Sequence, residues 1–221
     1  MLTRVHRFLA RRLFYPAVAA SGLAVGLLAA RILMGAHGYT FLVWNLFLAW
    51  LPYLAALAAS ALAIPARRPL LTAPMALAGA IWLLFLPNAP YIMTDFVHLP
   101  GMRFVWWYDV GTLLAFAWAG CILGVASLHL MRGVVRARFG DRASWAFVLV
   151  CVGLSGVGIY LGRFLRWNSW DVLTSPRLLA HELAAVLSDP GAYPRLIGVS
   201  GMFAAFLLVG YLTLDAARRA R

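Results

Sequence analysis

Asp95 and His98 lie three residues apart near the end of Leu86-Pro87-Asn88-Ala89-Pro90-Tyr91-Ile92-Met93-Thr94-Asp95-Phe96-Val97-His98-Leu99. If the segment after Pro90 is helical they share a face, where a carboxylate can orient an imidazole as a general base or both can meet a metal ion. Arg163 and Arg166 have the same spacing in Gly162-Arg163-Phe164-Leu165-Arg166-Trp167-Asn168-Ser169-Trp170-Asp171. On a helix their guanidiniums point one way, either to neutralise Asp95, Asp109 and Asp171 or to hold a phosphate or carboxylate through forked hydrogen bonds. Asp109 follows Trp106-Trp107-Tyr108 and sits roughly 8 Å into an apolar run, so it needs a partner, for which an arginine of the same membrane face is the expectation.

These residues define a candidate site with His98 and Asp95 as the acid/base pair and Asn88, Tyr91, Asp109, Arg163, Arg166, Asn168 and Asp171 as binding groups. Acyl or phosphoryl transfer fits those parts, with the arginines stabilising developing negative charge. No nucleophile is signalled, since Ser169 and Thr94 have no activating neighbour in sequence. The metal signal is weak: Asp95, His98, His181 and Glu182 offer suitable ligand atoms, but only the first two have local ligand spacing, so no metal is assigned. The cofactor is unknown from the sequence. The chain contains no lysine, which excludes Schiff-base lysine chemistry and a P-loop lysine.

The elements that must position these groups are membrane helices. Of 221 residues, 64% are hydrophobic and 12% charged, about half the charge fraction of a soluble domain. Six apolar runs, roughly Pro16–Met34, Phe41–Ile64, Leu70–Met93, Phe104–Met131, Ala143–Leu165 and Leu196–Leu214, match the length needed to cross a bilayer. The expected architecture is all-α: one six-span membrane domain over 16–216, a basic cytoplasmic segment 1–15 and a basic tail 217–221. Pro65 and Pro69 frame a tight turn around Arg67 and Arg68 between the second and third runs. Pro87 and Pro90 break the third near its exit, freeing carbonyls that Asn88, Thr94 or water must satisfy.

Orientation follows from the arginines. Arg4, Arg7, Arg11, Arg12, Arg67, Arg68, Arg132, Arg136, Arg138, Arg142, Arg218, Arg219 and Arg221 fall on one set of connections. Arg31, Arg103, Arg163, Arg166, Arg177 and Arg195 fall on the other, thirteen against six. The richer set belongs in the cytoplasm, with both ends of the chain, and the candidate site then faces outward from a bacterial inner membrane. The net charge of +12 is explained by this asymmetry and not by nucleic acid. A cleaved leader is not expected, because Arg11-Arg12 precedes an apolar run with no convincing small-residue cleavage site.

Cys121 and Cys151 lie inside apolar runs and read as small buried hydrophobes. Gly22/Gly26, Gly120/Gly124, Gly158/Gly162 and Gly201/Ala205 permit close helix approach, within the bundle or across a homodimer. Ser175-Pro176 opens a short helix over about 176–188 that ends near Asp189-Pro190-Gly191. Leu178, Leu179, Leu183, Val186 and Leu187 give it one apolar side, as an interfacial helix requires.

The two polar motifs, Leu86 to His98 and Gly162 to Asp171, resemble in sequence and order the bacterial integral-membrane family catalogued as domain of unknown function 1361. The likeness runs from the second span to the end. It implies a multi-pass membrane protein and brings no reaction and no catalytic residues. Four functions stand: a site for an anionic lipid or envelope precursor, a membrane-embedded acyl or phosphoryl transferase or hydrolase, a structural partner of an envelope complex, and a small transporter.

Overall fold

A polar backbone group in hydrocarbon must find its partner within the same segment, so long apolar runs of this kind become helices. The computed structural model describes residues 2–63, 72–101, 105–188 and 194–220, and no strand occurs among them. The helices are α1 (Leu2–Ala10), α2 (Phe14–Leu33), α3 (Phe41–Ala63), α4 (Ala73–Phe85), α5 (Asn88–Tyr91), α6 (Trp106–Phe164), α7 (Asp171–Thr174), α8 (Pro176–Ser188) and α9 (Pro194–Arg219). A 3₁₀ segment, Ile92–Gly101, continues α5. Five stretches are long and apolar enough to cross a membrane, with α4, α5 and most of the 3₁₀ segment forming one of them. Large apolar side chains such as Trp44, Leu54, Leu114, Trp118, Val150 and Val209 face outward, the arrangement a lipid solvent favours.

The longest helix, α6, is two arms. At Gly140 the backbone takes φ 84°, ψ 178°, a left-handed value that glycine adopts without steric penalty. The chain folds back there: Trp82 donates from Nε1 to Ser127 Oγ at 3.2 Å while its ring stacks on Phe147 at 5.4 Å. Those two partners would stand about 30 Å apart along a straight helix. Arg132 clamps the corner. It donates to Asp141 at 3.1 Å and Ser144 at 3.3 Å on the second arm, and to Asp215 at 3.1 Å and Tyr211 at 2.8 Å on α9. Its guanidinium also lies 3.9 Å over the Trp145 ring.

The bundle thus consists of six apolar arms with α6 at its centre, packed against α2, α3, α5 and α9. One end carries the N-terminal arginines, Arg132 and the end of α9. The other carries Arg31, Asp95, Asp109 and Arg163 and is called here the aspartate end. Small residues set the approach: a Cβ on Gly120 would stand 2.3 Å from the Ala89 carbonyl oxygen, and one on Gly158 would stand 2.6 Å from Pro87 Cγ. Gly22, Gly26 and Gly201 meet nothing within 4 Å.

Three details depart from the sequence reading. Segment 1–15 contains α1, a nine-residue helix whose Val5, Phe8 and Leu9 recur on one side, with Arg4 before them and Arg7 among them. The fourth apolar run does not stop at Met131, because its helix continues through Arg132, Arg136 and Arg138 up to the Gly140 bend. The last begins and ends outside its apolar stretch, at Pro194 and Arg219. Helix α8 forms over the expected residues, with the Leu179 N–H bonded to the Ser175 carbonyl at 3.2 Å. The turn at Pro65, Arg67, Arg68 and Pro69, together with Arg103, Asp189-Pro190-Gly191, Arg221 and the side chains of Leu183, Val186 and Leu187, lies outside the described residues.

Candidate functional site

Prolines 87 and 90 end α4 early, and two neighbouring side chains satisfy freed carbonyls. Asn88 Nδ2 donates to Phe85 O at 3.1 Å and Thr94 Oγ1 donates to Tyr91 O at 2.7 Å. The chain then continues as a 3₁₀ segment, where residues three apart are eclipsed, so Asp95 and His98 face the same neighbour. That neighbour is Arg163, brought close because Gly158 and Gly162 admit Pro87 and the Tyr91 ring against the second arm of α6.

Arg163 is the hub of the first cluster. Its Nη2 donates to Asp95 Oδ1 at 2.5 Å, its Nε to Thr94 Oγ1 at 2.8 Å, and its guanidinium lies 4.8 Å over the Tyr91 ring. Asp95 is 1% exposed, and its second oxygen accepts from Asn45 Nδ2 on α3 at 2.8 Å. Each carboxylate oxygen therefore has a donor, as a buried charge requires. His98 Nε2 lies 3.4 Å from Arg163 Nη1 and the imidazole packs edge-on against Phe41 at 5.0 Å. The expected acid/base pair is thus not a hydrogen-bonded dyad: Arg163 and Asn45 hold Asp95, and Arg163 stands beside His98.

Asp109 belongs to a second cluster. Fully buried, it accepts from Arg31 Nε at 2.7 Å. Arg31, 2% exposed, also donates to the carbonyls of Ala36 at 2.8 Å and Gly38 at 3.1 Å and lies 4.6 Å from the centre of the Tyr39 ring. Asp109 has the arginine partner its depth demanded, supplied by the end of α2 and not by the Arg163 motif.

The segment after α6 does not keep Arg163 and Arg166 on one face. The helix stops at Phe164, Arg166 takes the left-handed φ of 58°, and the Trp167 N–H returns to the Leu161 carbonyl at 3.2 Å. Arg166 is exposed, with no hydrogen bond or ion pair to a described residue. Asp171 is engaged locally, accepting from the Asn168 N–H at 2.7 Å, Asn168 Nδ2 at 3.3 Å and Thr174 Oγ1 at 3.2 Å. Trp167 Nε1 donates to Glu182 Oε2 at 2.6 Å, tying the segment to α8, while His181 is exposed. Among the described residues no three His, Cys, Asp or Glu side chains gather as a metal site requires. Cys121 and Cys151 are free thiols within the bundle.

Between α3, α4, the second arm of α6 and the segment leading to α8 lies a half-open cavity of about 600 Å³. One wall is apolar, built by Trp44, Leu48, Leu83 and Leu84, and Trp44 and Leu83 are also exposed on the outer surface of the bundle. The other end is polar but uncharged, with Asn88, Ser169, Asn168 and the indoles of Trp167 and Trp170; Asn88 Nδ2 donates to Ser169 Oγ at 2.9 Å. Asn45 and Tyr91 line the cavity as well, so the Asp95–Arg163 pair stands directly behind its wall.

The sequence motifs therefore separate into a scaffold, made by the buried charges, and a cavity, made by the amides, hydroxyl and indoles. Asn45 escaped the sequence reading; its signal was a single amide in an otherwise apolar start to α3. Arg31 counts in the sequence among the connection charges, but a lone arginine at a span end with five acids elsewhere on that face marks a pairing candidate.

A family model described as "Protein of unknown function (DUF1361)" matches residues 44–209. No curated protein and no solved structure matches the chain. The matched stretch begins one residue before Asn45 and includes Asp95, Arg163 and every residue lining the large cavity, while Arg31 and the N-terminal arginines lie outside it.

Proposed function

The chain belongs to the family of unknown function DUF1361, a membership that assigns no reaction, and from the cavity geometry we propose that it binds an amphipathic, lipid-like anion. The observation that carries this reading is the graded lining: an apolar wall reaching the outer surface at Trp44 and Leu83, and a polar mouth at Asn88, Asn168 and Ser169. An acyl or isoprenoid chain fits the first and a hydrogen-bonding headgroup the second. Arg166, exposed and next to the cavity residue Trp167, offers the cationic contact for an anionic head.

In this reading the six arms cross a bacterial inner membrane. The described arginines favour the end that carries Arg132, ten to five, which supports a cytoplasmic location for that end. The cavity then opens to the outer leaflet, where a membrane lipid or envelope precursor is available. Binding is favoured over acyl or phosphoryl transfer because His98 stands beside the Arg163 cation and the Asp95 carboxylate is fully engaged by other donors.

The test is quenching of intrinsic tryptophan fluorescence by phosphatidylglycerol with brominated acyl chains, titrated into the purified full-length protein. Trp44, Trp167 and Trp170 line the cavity and report occupancy. Saturable quenching is expected. Leu84→Trp, which fills the apolar wall, should abolish it, and Arg166→Gln should weaken it about tenfold for phosphatidylglycerol while leaving phosphatidylcholine unchanged. Equal affinity in wild type and both variants, or quenching that never saturates, would remove the proposal.

A further inference from the structure

We propose that the opposite end of the bundle carries a second, independent site: an arginine-lined pocket that binds a phosphate-type oxyanion. The pocket has a volume of about 330 Å³ and is lined by Arg11, Arg12, Arg218, His129 and Ser60 among others. By liquid water's share of volume that is room for roughly ten waters, ample for a tetrahedral oxyanion and part of its hydration.

Its three arginines come from opposite ends of the chain, and the guanidiniums of Arg12 and Arg218 are held by neutral groups. Arg218 Nη2 donates to the Arg11 carbonyl at 2.8 Å, and its Nη1 lies 3.3 Å from His129 Nε2. Arg12 donates from Nε to Ser60 Oγ at 3.2 Å and from Nη1 to Phe8 O at 3.3 Å, with its guanidinium 3.6 Å over the Phe8 ring. Tyr53 in turn donates to the Arg12 carbonyl at 2.9 Å. The Arg11 side chain hydrogen-bonds to no described residue, so its donors are unspent.

No described carboxylate forms an ion pair with Arg11, Arg12 or Arg218, although the Asp215 charge acts on His129. The acids of this end are engaged elsewhere: Asp141 with Arg132 and Arg136, Asp215 with Arg132 and Arg219. The buried Arg31 and Arg132 and the half-buried Arg163 each hold an aspartate, which the arginines of this cluster do not. Membrane orientation requires arginines in the connections, but not their convergence on a void. Burial lowers the Arg12 pKa, and against the opposing influence of Tyr53 the positive charges of Arg11 and Arg218 lower it further, so an anion entering here relieves an existing repulsion.

Two further features fix the pocket. Leu13, the residue joining Arg12 to α2, is held at φ 63°, ψ 23°, a left-handed conformation that a leucine keeps only where its surroundings impose it. His129 Nδ1 is buried without a hydrogen-bond partner among the described residues. Planar forks of N–H groups from three arginines, none in an ion pair with a described carboxylate, suit a phosphate group, whether the headgroup of a phosphate-monoester lipid or a free phosphate.

Calorimetric titration of the detergent-solubilised full-length protein with inorganic phosphate and, separately, with short-chain phosphatidic acid tests the assignment. One saturable site is expected, weakened about tenfold by Arg11→Gln and by Arg218→Gln and unchanged by Arg142→Gln, which removes the same charge from an exposed position. Leu84→Trp, in the other cavity, should leave it unchanged. Saturation by inorganic phosphate identifies a soluble phosphate as the source; saturation by phosphatidic acid alone identifies the lipid headgroup. Arg11→Gln breaks no described hydrogen bond, so its loss of binding cannot be assigned to misfolding. The proposal is overturned if neither probe saturates, if both pocket variants bind like wild type, or if Arg142→Gln weakens binding as much as they do.

Discussion

Arg31 and Arg163, at the aspartate end of the bundle, each grip a buried carboxylate, whereas at the other end Arg12 and Arg218 are held by carbonyls, a hydroxyl and an imidazole, and Arg11 lines the same pocket with no side-chain hydrogen bond to a described residue. At the first end the charges are spent on one another, and the neighbouring cavity presents neutral amides and indoles. At the second, positive charge itself lines the pocket. A buried guanidinium thus indicates scaffold or site according to whether an acid accompanies it, and the two ends should respond oppositely when charge is removed.

The largest effect is expected where an acid is taken from a buried pair. Asp109→Ala leaves Arg31 without its carboxylate, and Asp95→Ala does the same to Arg163; each should cost about 3 to 5 kcal/mol and deplete the protein in membranes. Replacing both partners, Asp109→Leu with Arg31→Met, should recover most of that loss, because two charges are then no longer desolvated. Thermal unfolding in detergent, followed by tryptophan fluorescence, measures all of these. Full stability in Asp109→Ala would break the comparison outright.

A smaller effect sharpens it. Asn45→Leu removes the donor to Asp95 Oδ2 while leaving the ion pair in place, so an unsatisfied buried acceptor should cost about 1 to 3 kcal/mol. Because Asn45 also lines the cavity, the same variant should alter ligand affinity, whereas the double variant Asp109→Leu with Arg31→Met should not. A variant that loses stability without changing affinity would detach the scaffold from the cavity it backs.

The helical arms and the polar aspartate end were legible because lipid permits so few alternatives. Apolar runs of spanning length become helices, prolines such as Pro87 and Pro90 end them, and acids such as Asp109 at depth must be paired. Which arginine takes which aspartate was not legible, since it depends on helix rotation, set here by contacts of Gly120, Gly158 and Gly162 with Ala89, Pro87 and Tyr91. The helical spacing of Arg163 and Arg166 misled for a related reason: the helix ends between them, and the left-handed turn at Arg166 is a tertiary outcome. Membrane orientation gives the arginines at 11, 12 and 218 a reason to share one end of the bundle but none to meet across more than two hundred residues.

The smallest stability effect carries the opposite sign. In phosphate-free buffer of low ionic strength, Arg11→Gln takes one positive charge from a cluster whose arginines pair with no described acid, and it breaks no described hydrogen bond. The unfolding midpoint should stay level or rise slightly, because the repulsion on Arg12 and Arg218 falls. Added sodium chloride should shrink the difference from wild type, since screening already weakens repulsion between exposed charges. Phosphate should reverse the order by stabilising wild type through binding that the variant lacks. A variant destabilised equally in every buffer would mean that Arg11 belongs to the scaffold after all, and the contrast between the two ends would lose its physical basis.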